Sequence, residues 1–174
     1  MLARGRVDGI DAFDSTMEEA RVSFLAALFC LPVFLLLRIG FPAPGLAGAD
    51  PARALAGDLI AYVCSWAGFA LASVPMADAM GRRALWPRFI AAWNWSNLVQ
   101  YVVLGVLTMP AMLGLPAFIA DTLGLLGLGY AIWLQWFATR TALAVTGLRA
   151  AAFVAVDIGI AVFLSGLVAR LAAG

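Results

Sequence analysis

Histidine and lysine are absent from this chain, cysteine occurs twice, and only 12% of the residues are charged. Without histidine there can be no bis-His haem, no His-ligated zinc or copper, and no Ser-His or Cys-His nucleophile pair. Arginine is therefore the whole basic complement. The eleven Arg stand singly or in pairs at the ends of apolar runs, and the net charge is +1. That leaves no basic stripe for nucleic acid. Soluble domains carry about 25% charged residues, so the low charge, the 64% hydrophobic content and a mean hydropathy of +0.98 exclude one. Cys30 and Cys64 both fall inside apolar runs, where a thiol behaves as a small hydrophobe. They read as packing residues and not as a redox pair. No metal ligand set and no cofactor motif is expected.

What is present is a series of apolar runs separated by breakers. A bilayer crossing takes roughly 20 apolar residues. The 174 residues hold an all-α polytopic transmembrane bundle of five spans in a single domain, over about 18–38, 55–79, 88–109, 116–139 and 148–171. Ahead of them, residues 1–14 form a weakly amphipathic segment with Val7, Ile10 and Phe13 three apart, suited to lying on the membrane surface. Two overlapping capping boxes, Ser15 with Glu18 and Thr16 with Glu19, announce the first helix. Ala47-Gly48-Ala49 resembles a signal-peptide cleavage site, but the polar lead of about 21 residues is acidic where a signal peptide is short and basic. Pro32 and Pro75 lie inside spans as expected bends, and Pro110 is expected to end the third span.

The third span is more polar than lipid allows. Asn94, Ser96, Asn97, Gln100 and Tyr101 occupy it, and each unsatisfied amide in hydrocarbon costs several kcal/mol. At about 100° per residue Asn94, Asn97, Tyr101 and Thr108 share one stripe with Gln100 at its margin, so the stripe faces protein or water. Trp93 and Trp95 flank it near a span end, where indoles suit the headgroup level. In span four, Gly124, Gly127, Gly129 and Ala131 permit close backbone approach. Their G-x-x-G-x-G spacing is no nucleotide loop, since no strand precedes it. In span five, Ala151, Ala155 and Gly159 form a small-residue stripe, and Asp157 lies on a different face.

With five spans, eight Arg (4, 6, 21, 82, 83, 88, 140 and 149) fall on the side of the N-terminus and three (38, 53 and 170) on the other. The positive-inside rule then places the N-terminus in the cytoplasm and the C-terminus outside. The Arg-only, Ala-rich and Gly-rich usage points to a bacterial inner membrane.

An ionisable residue well inside a span is a functional candidate by default, which singles out Asp157. Asn97 lies at similar depth, so a hydrogen bond from Asp157 to Asn97 joining spans three and five is one expectation. Asn94, Asn97, Gln100, Tyr101, Gln135 and Asp157 form the candidate polar layer. Asp58 and Asp121 sit near the outer span ends as boundary residues. Arg82, Arg83, Trp86 and Arg88 form a modest cytoplasmic patch for anionic lipid or a partner's acidic surface. No catalytic residue is expected.

The order of elements resembles the five-span Yip membrane family. The carrying residues are Trp86-Pro-Arg-Phe, Asn94-Trp95, and Arg140-Thr-Ala-Leu through Arg149-Ala-Ala-Ala, with an acidic lead into the first span. The resemblance implies a cytoplasmic N-terminus, no enzymatic activity, and a role in membrane organisation or as a partner of larger complexes. The long cytoplasmic domain common in that family is missing here. Two functions follow as expectations: a non-catalytic accessory or scaffolding protein, contacting lipids and other membrane subunits or its own copies; or a small transporter or channel with a path around Asp157, Asn97 and Asn94. A cofactor-free subunit of a respiratory or photosynthetic complex is a third.

Overall fold

Thr16 starts the first helix. Its hydroxyl accepts from Glu19 N–H at 3.2 Å, while the Glu19 carboxylate accepts from Asp14 N–H at 2.6 Å. A helix has one N-cap, and here it is Thr16; the Glu19 carboxylate reaches back past the N-cap to Asp14 N–H, so of the two overlapping boxes only the Thr16 half of the second forms. The computed structural model describes residues 1–41 and 50–173, and helix is the only regular structure among them. The helices are α1 (Met17–Ser23), α2 (Leu25–Gly40), α3 (Pro51–Ala79), α4 (Trp86–Met112), α5 (Ala117–Leu143) and α6 (Gly147–Ala173). Phe24 is the only residue between α1 and α2, so they form one rod with a local break. The Ala47-Gly48-Ala49 stretch lies outside the described residues.

Boundaries shift from the sequence expectation by a few residues at each end. Pro110 lies inside α4, which continues to Met112. α3 begins at Pro51, with proline in the first turn and Asp50 capping Arg53 N–H at 2.8 Å. α5 ends at Ala144, which takes a left-handed φ of 50°.

Contacts fix an up-and-down packing. Arg38 meets Asp58 and Phe34 meets Tyr62, so α3 runs back along α2. Trp86 bonds Ser73, and Tyr62 meets Tyr101, so α4 runs back along α3. Arg88 reaches Ala142, and Leu104 lies against Gly127, so α5 runs back along α4. Gln135 bonds Asp157, and Gly57 faces Val168, which sets α6 against both α5 and α3. Every consecutive pair of rods is therefore antiparallel. Arg21, Arg82, Arg83, Arg88, Arg140 and Arg149 gather toward one end of the bundle, and Arg38, Arg53 and Arg170 toward the other.

Four of these rods are long and apolar enough to cross a membrane: Met17–Gly40, Pro51–Ala79, Ala117–Leu143 and Gly147–Leu171. Their outer surfaces expose large apolar side chains such as Leu28, Ile60, Leu71, Phe118, Leu125 and Phe163. α4 matches α5 and α6 in length at 27 residues but is more polar. The core is aromatic. Phe69 stacks on Trp93 with centroids 4.4 Å apart, Trp66 meets Trp93 edge-on at 5.4 Å, and Phe89 meets Phe153 at 5.2 Å. Trp93 is thus 4% exposed and belongs to the core, not to a headgroup belt, because its side of α4 faces α3.

Residues 2–12 depart from the surface-lying amphipathic expectation. They form two short 3-10 turns, Leu2–Arg4 and Val7–Ala12, packed on the flanks of α4 and α5. Gly5 links them with φ of 71°, and the first folds onto the second so closely that a Cβ on Gly9 would collide with Leu2 N. Leu2 and Ile10 are buried, whereas Val7 points outward.

Candidate functional site

α4 places its polar stripe inside the bundle. Asn94 is fully buried, Gln100 is 7% exposed and Asn97 9%, in the half of α4 where no residue from Trp86 to Gln100 is exposed. Asn94 Nδ2 donates to Ser23 Oγ at 2.7 Å, and that hydroxyl donates to Ala20 O at 2.7 Å, tying α4 to α1. Asn94 Oδ1, Asn97 Nδ2, Gln100 Nε2 and Trp93 Nε1 are buried without a protein partner. Unpartnered buried amides are costly, so this seam is where bound water or a polar ligand group would be stabilised. Tyr101 is half-buried beyond it, and Thr108 spends its hydroxyl on the Leu104 carbonyl of its own helix.

Asp157 does not meet Asn97. Its Oδ2 accepts from Gln135 Nε2 at 2.6 Å, joining α6 to α5. α6 packs between α5 and α3, so its polar face reaches the nearer helix first.

Asp58 also departs from its expected boundary role. It is 7% exposed, and its Oδ1 lies 3.6 Å from Arg38 Nη2. The Arg38 guanidinium also stands 5.5 Å from the Phe34 ring centroid, a cation–π contact. The pair lines a cavity of about 120 Å³ with Tyr62, Ser65, Tyr101 and Ser165. At 3.6 Å the ions attract without a short hydrogen bond, and the Tyr62 hydroxyl is engaged elsewhere, donating to Ala27 O at 2.6 Å. Sequence reasoning missed this site. The signal existed, because Arg38 closes one apolar run and Asp58 opens the next, so antiparallel packing of the two brings opposite charges to the same level. Asp121 is exposed near the start of α5, as a boundary residue should be.

The basic patch is smaller than its composition suggested. Arg82 and Arg83 are exposed, with Arg83 over the Trp86 ring at 5.9 Å. Trp86 is buried and donates Nε1–H to Ser73 Oγ at 2.9 Å. Arg88 turns inward, donating to Ala142 O from Nη2 at 2.9 Å and from Nε at 3.3 Å. It satisfies a carbonyl in the last turn of α5 and so acts as a cap.

Of the small residues, Gly127 and Ala131 are buried, and a Cβ on Gly127 would stand 3.0 Å from Leu104 Cδ2. Gly124 and Gly129 meet nothing within 4 Å, and Ala151, Ala155 and Gly159 of α6 are exposed. Gly129, Ala151 and Ala155 instead line an open apolar groove of about 430 Å³ with Trp133, Trp136 and Ile158. Cys30 is buried as expected, but Cys64 is exposed on α3, because the apolar run around it turns that position away from the bundle. Among the described residues no three Cys, Asp or Glu side chains gather as a metal site.

Compared with models of known protein families, with curated proteins and with solved structures, the chain matches none of them.

Proposed function

We propose that this chain is a five-span bacterial inner-membrane protein, N-terminus cytoplasmic and C-terminus outside, that acts as a non-catalytic accessory or scaffolding subunit. The observation that carries the reading is the open groove between α5 and α6. Small residues that let backbones approach are concentrated where this chain has no helix of its own to receive them. In lipid, such faces drive helix association through close packing, since burial from hydrocarbon supplies no hydrophobic force. The larger part of the polar inventory is meanwhile used internally: Asn94 on Ser23, Gln135 on Asp157, Trp86 on Ser73 and Arg88 on the end of α5. The Yip-like order of elements points the same way. α4 joins the four apolar rods as the third span in chain order, its polarity matched by its interior position, and the Arg-rich end of the bundle faces the cytoplasm.

The test is purification from membranes in mild detergent, with native mass spectrometry of what stays bound. A stoichiometric partner or a closed homo-oligomer is expected; a monodisperse monomer with nothing bound refutes the reading. A membrane-impermeant maleimide applied to sealed cells should leave Arg82→Cys unlabelled, and labelling there would reverse the orientation.

The second reading, a small transporter or channel, is favoured by one observation: the orphaned amides of Asn94, Asn97 and Gln100 lie along the inward stripe of α4. A proton or cation flux into liposomes reconstituted with the protein, lost in Asp157→Asn, would establish it. The absence of any flux above protein-free liposomes would dismiss it.

A further inference from the structure

Tyr130 is the midpoint of α5 (Ala117–Leu143), about 20 Å from either end at 1.5 Å per residue. Its hydroxyl donates to Ala3 O at 2.8 Å, and Gly5 packs on the ring of Trp133 one turn away. Ser96, Val99 and Leu134, all well inside their helices, line the cavity beneath Leu2 and Gly9. The two 3-10 turns are therefore docked at mid-depth of the bundle and not at its rim. Helical side chains lean toward their own N-terminus, so the Tyr130 phenol carries this contact away from the Arg-rich end and deeper still.

The outward side of this segment is ionic. Arg4, Arg6, Asp8 and Asp11 are all exposed, and the Arg6–Asp8 bridge of 2.6 Å leaves those side chains 61% and 47% accessible. Charges at that depth facing lipid are unstable, and in membrane proteins they face water or protein. The adjoining surface is the apolar groove between α5 and α6, since Trp133 touches Gly5 on one side and lines the groove on the other. One continuous face thus carries both an ionic patch that lipid cannot cover and a small-residue groove shaped for a helix.

We propose that this face is covered by a second copy of the chain. Arg6 and Asp8 pair with each other, which leaves one cation, Arg4, and one anion, Asp11, so a partner of one sign would leave one of them unpaired. An isologous contact sets the same surface against itself and requires this self-complementarity. In the dimer, Arg4 of one copy faces Asp11 of the other, and the grooves pack together around Ala151 and Ala155. The inference rests on the accessory reading above and names the partner of the same groove.

The experiment uses two full-length variants, Arg4→Cys and Asp11→Cys, co-expressed in a Cys64→Ala background, with buried Cys30 left in place. Among the described residues neither Arg4 nor Asp11 makes a side-chain hydrogen bond or ion pair, so both variants should fold. A short bis-maleimide applied to the membranes should yield a heterodimer of the two chains. The product should fall at least tenfold when Ala155→Trp fills the groove. Labelling of both cysteines by an impermeant maleimide from the cytoplasmic side, with no cross-link, would place the segment in water and overturn the dimer. Absence of both reactions would overturn it too, as would capture of the segment by a different membrane protein. In each of these outcomes the chain stays in the alkali-resistant membrane fraction. Release by alkali would instead remove the membrane-spanning reading itself, and the dimer with it.

Discussion

Replacing Gln135 by Leu leaves the partly buried Asp157 carboxyl without its 2.6 Å donor. The destabilisation expected for an unpartnered polar group is about 1–3 kcal/mol. Asp157→Leu leaves the Gln135 amide, 6% exposed, in the same condition and should destabilise similarly. The double replacement removes both groups and should recover most of the loss, because nothing polar is then stranded. Measured coupling energies for such interhelical bonds in membranes are about 0.6–1.7 kcal/mol, which is roughly a three- to twentyfold change in the folding equilibrium. The assay is reversible unfolding in mixed micelles of dodecylmaltoside and SDS, followed by tryptophan fluorescence, for the wild type, both singles and the double. Asp157→Asn keeps an acceptor oxygen and should behave nearly as wild type. If the two single effects add to within about 0.3 kcal/mol, the bond is absent in the folded protein and the join between α5 and α6 rests on packing alone.

Three further outcomes follow from the same geometry. Arg88→Ala should destabilise by about 1–2 kcal/mol by uncapping Ala142 O, and Arg88→Lys should restore only part of it, as seen in the same micellar unfolding. Gly127→Leu forces side-chain atoms into Leu104 and Leu107 and should cost about 1–3 kcal/mol, whereas Gly124→Ala, with open space around it, should not destabilise and should raise stability by up to about 1 kcal/mol. Trp93→Ala empties the centre of the aromatic core and should cost about 3–5 kcal/mol; a loss below 1 kcal/mol would show that the Phe69–Trp93 stack does not hold α3 to α4.

The long apolar runs made the helices legible, and the angular phase of Asn94, Asn97 and Gln100 made their inward direction legible, because both follow from the chain's own periodicity. Their partners were not legible. Which helix Asp157 meets depends on how α6 seats between α5 and α3, and only packing decides that. Trp93 was misplaced for a related reason: an indole near a span end suits a headgroup belt, but here it is the ring that fills the space between Phe69 and Trp66. The 3-10 turns of residues 2–12 carry no hydrophobic period long enough to read, and their position depends on a single hydroxyl in the middle of α5 and on the ring of Trp133.

The polarity of α4 and its position explain each other. Its buried residues all lie between Trp86 and Gln100, and Asn94, Ser96, Asn97 and Gln100 are among them; Val102, Val106, Met109 and Met112 in its other half are exposed. The half that carries amides is the half wrapped by α1, α3, α5 and the 3-10 turns, and the half that meets the exterior is apolar. A hydropathy average over the helix mixes these two environments and so falls below those of α5 and α6, although all three have 27 residues. The segment that packs on Trp95, Ser96 and Val99 in the amide-carrying half has apolar Leu2 and Ile10 turned inward and Arg4, Arg6, Asp8 and Asp11 turned outward. In the dimer proposed above, the second copy of the chain covers these outward charges.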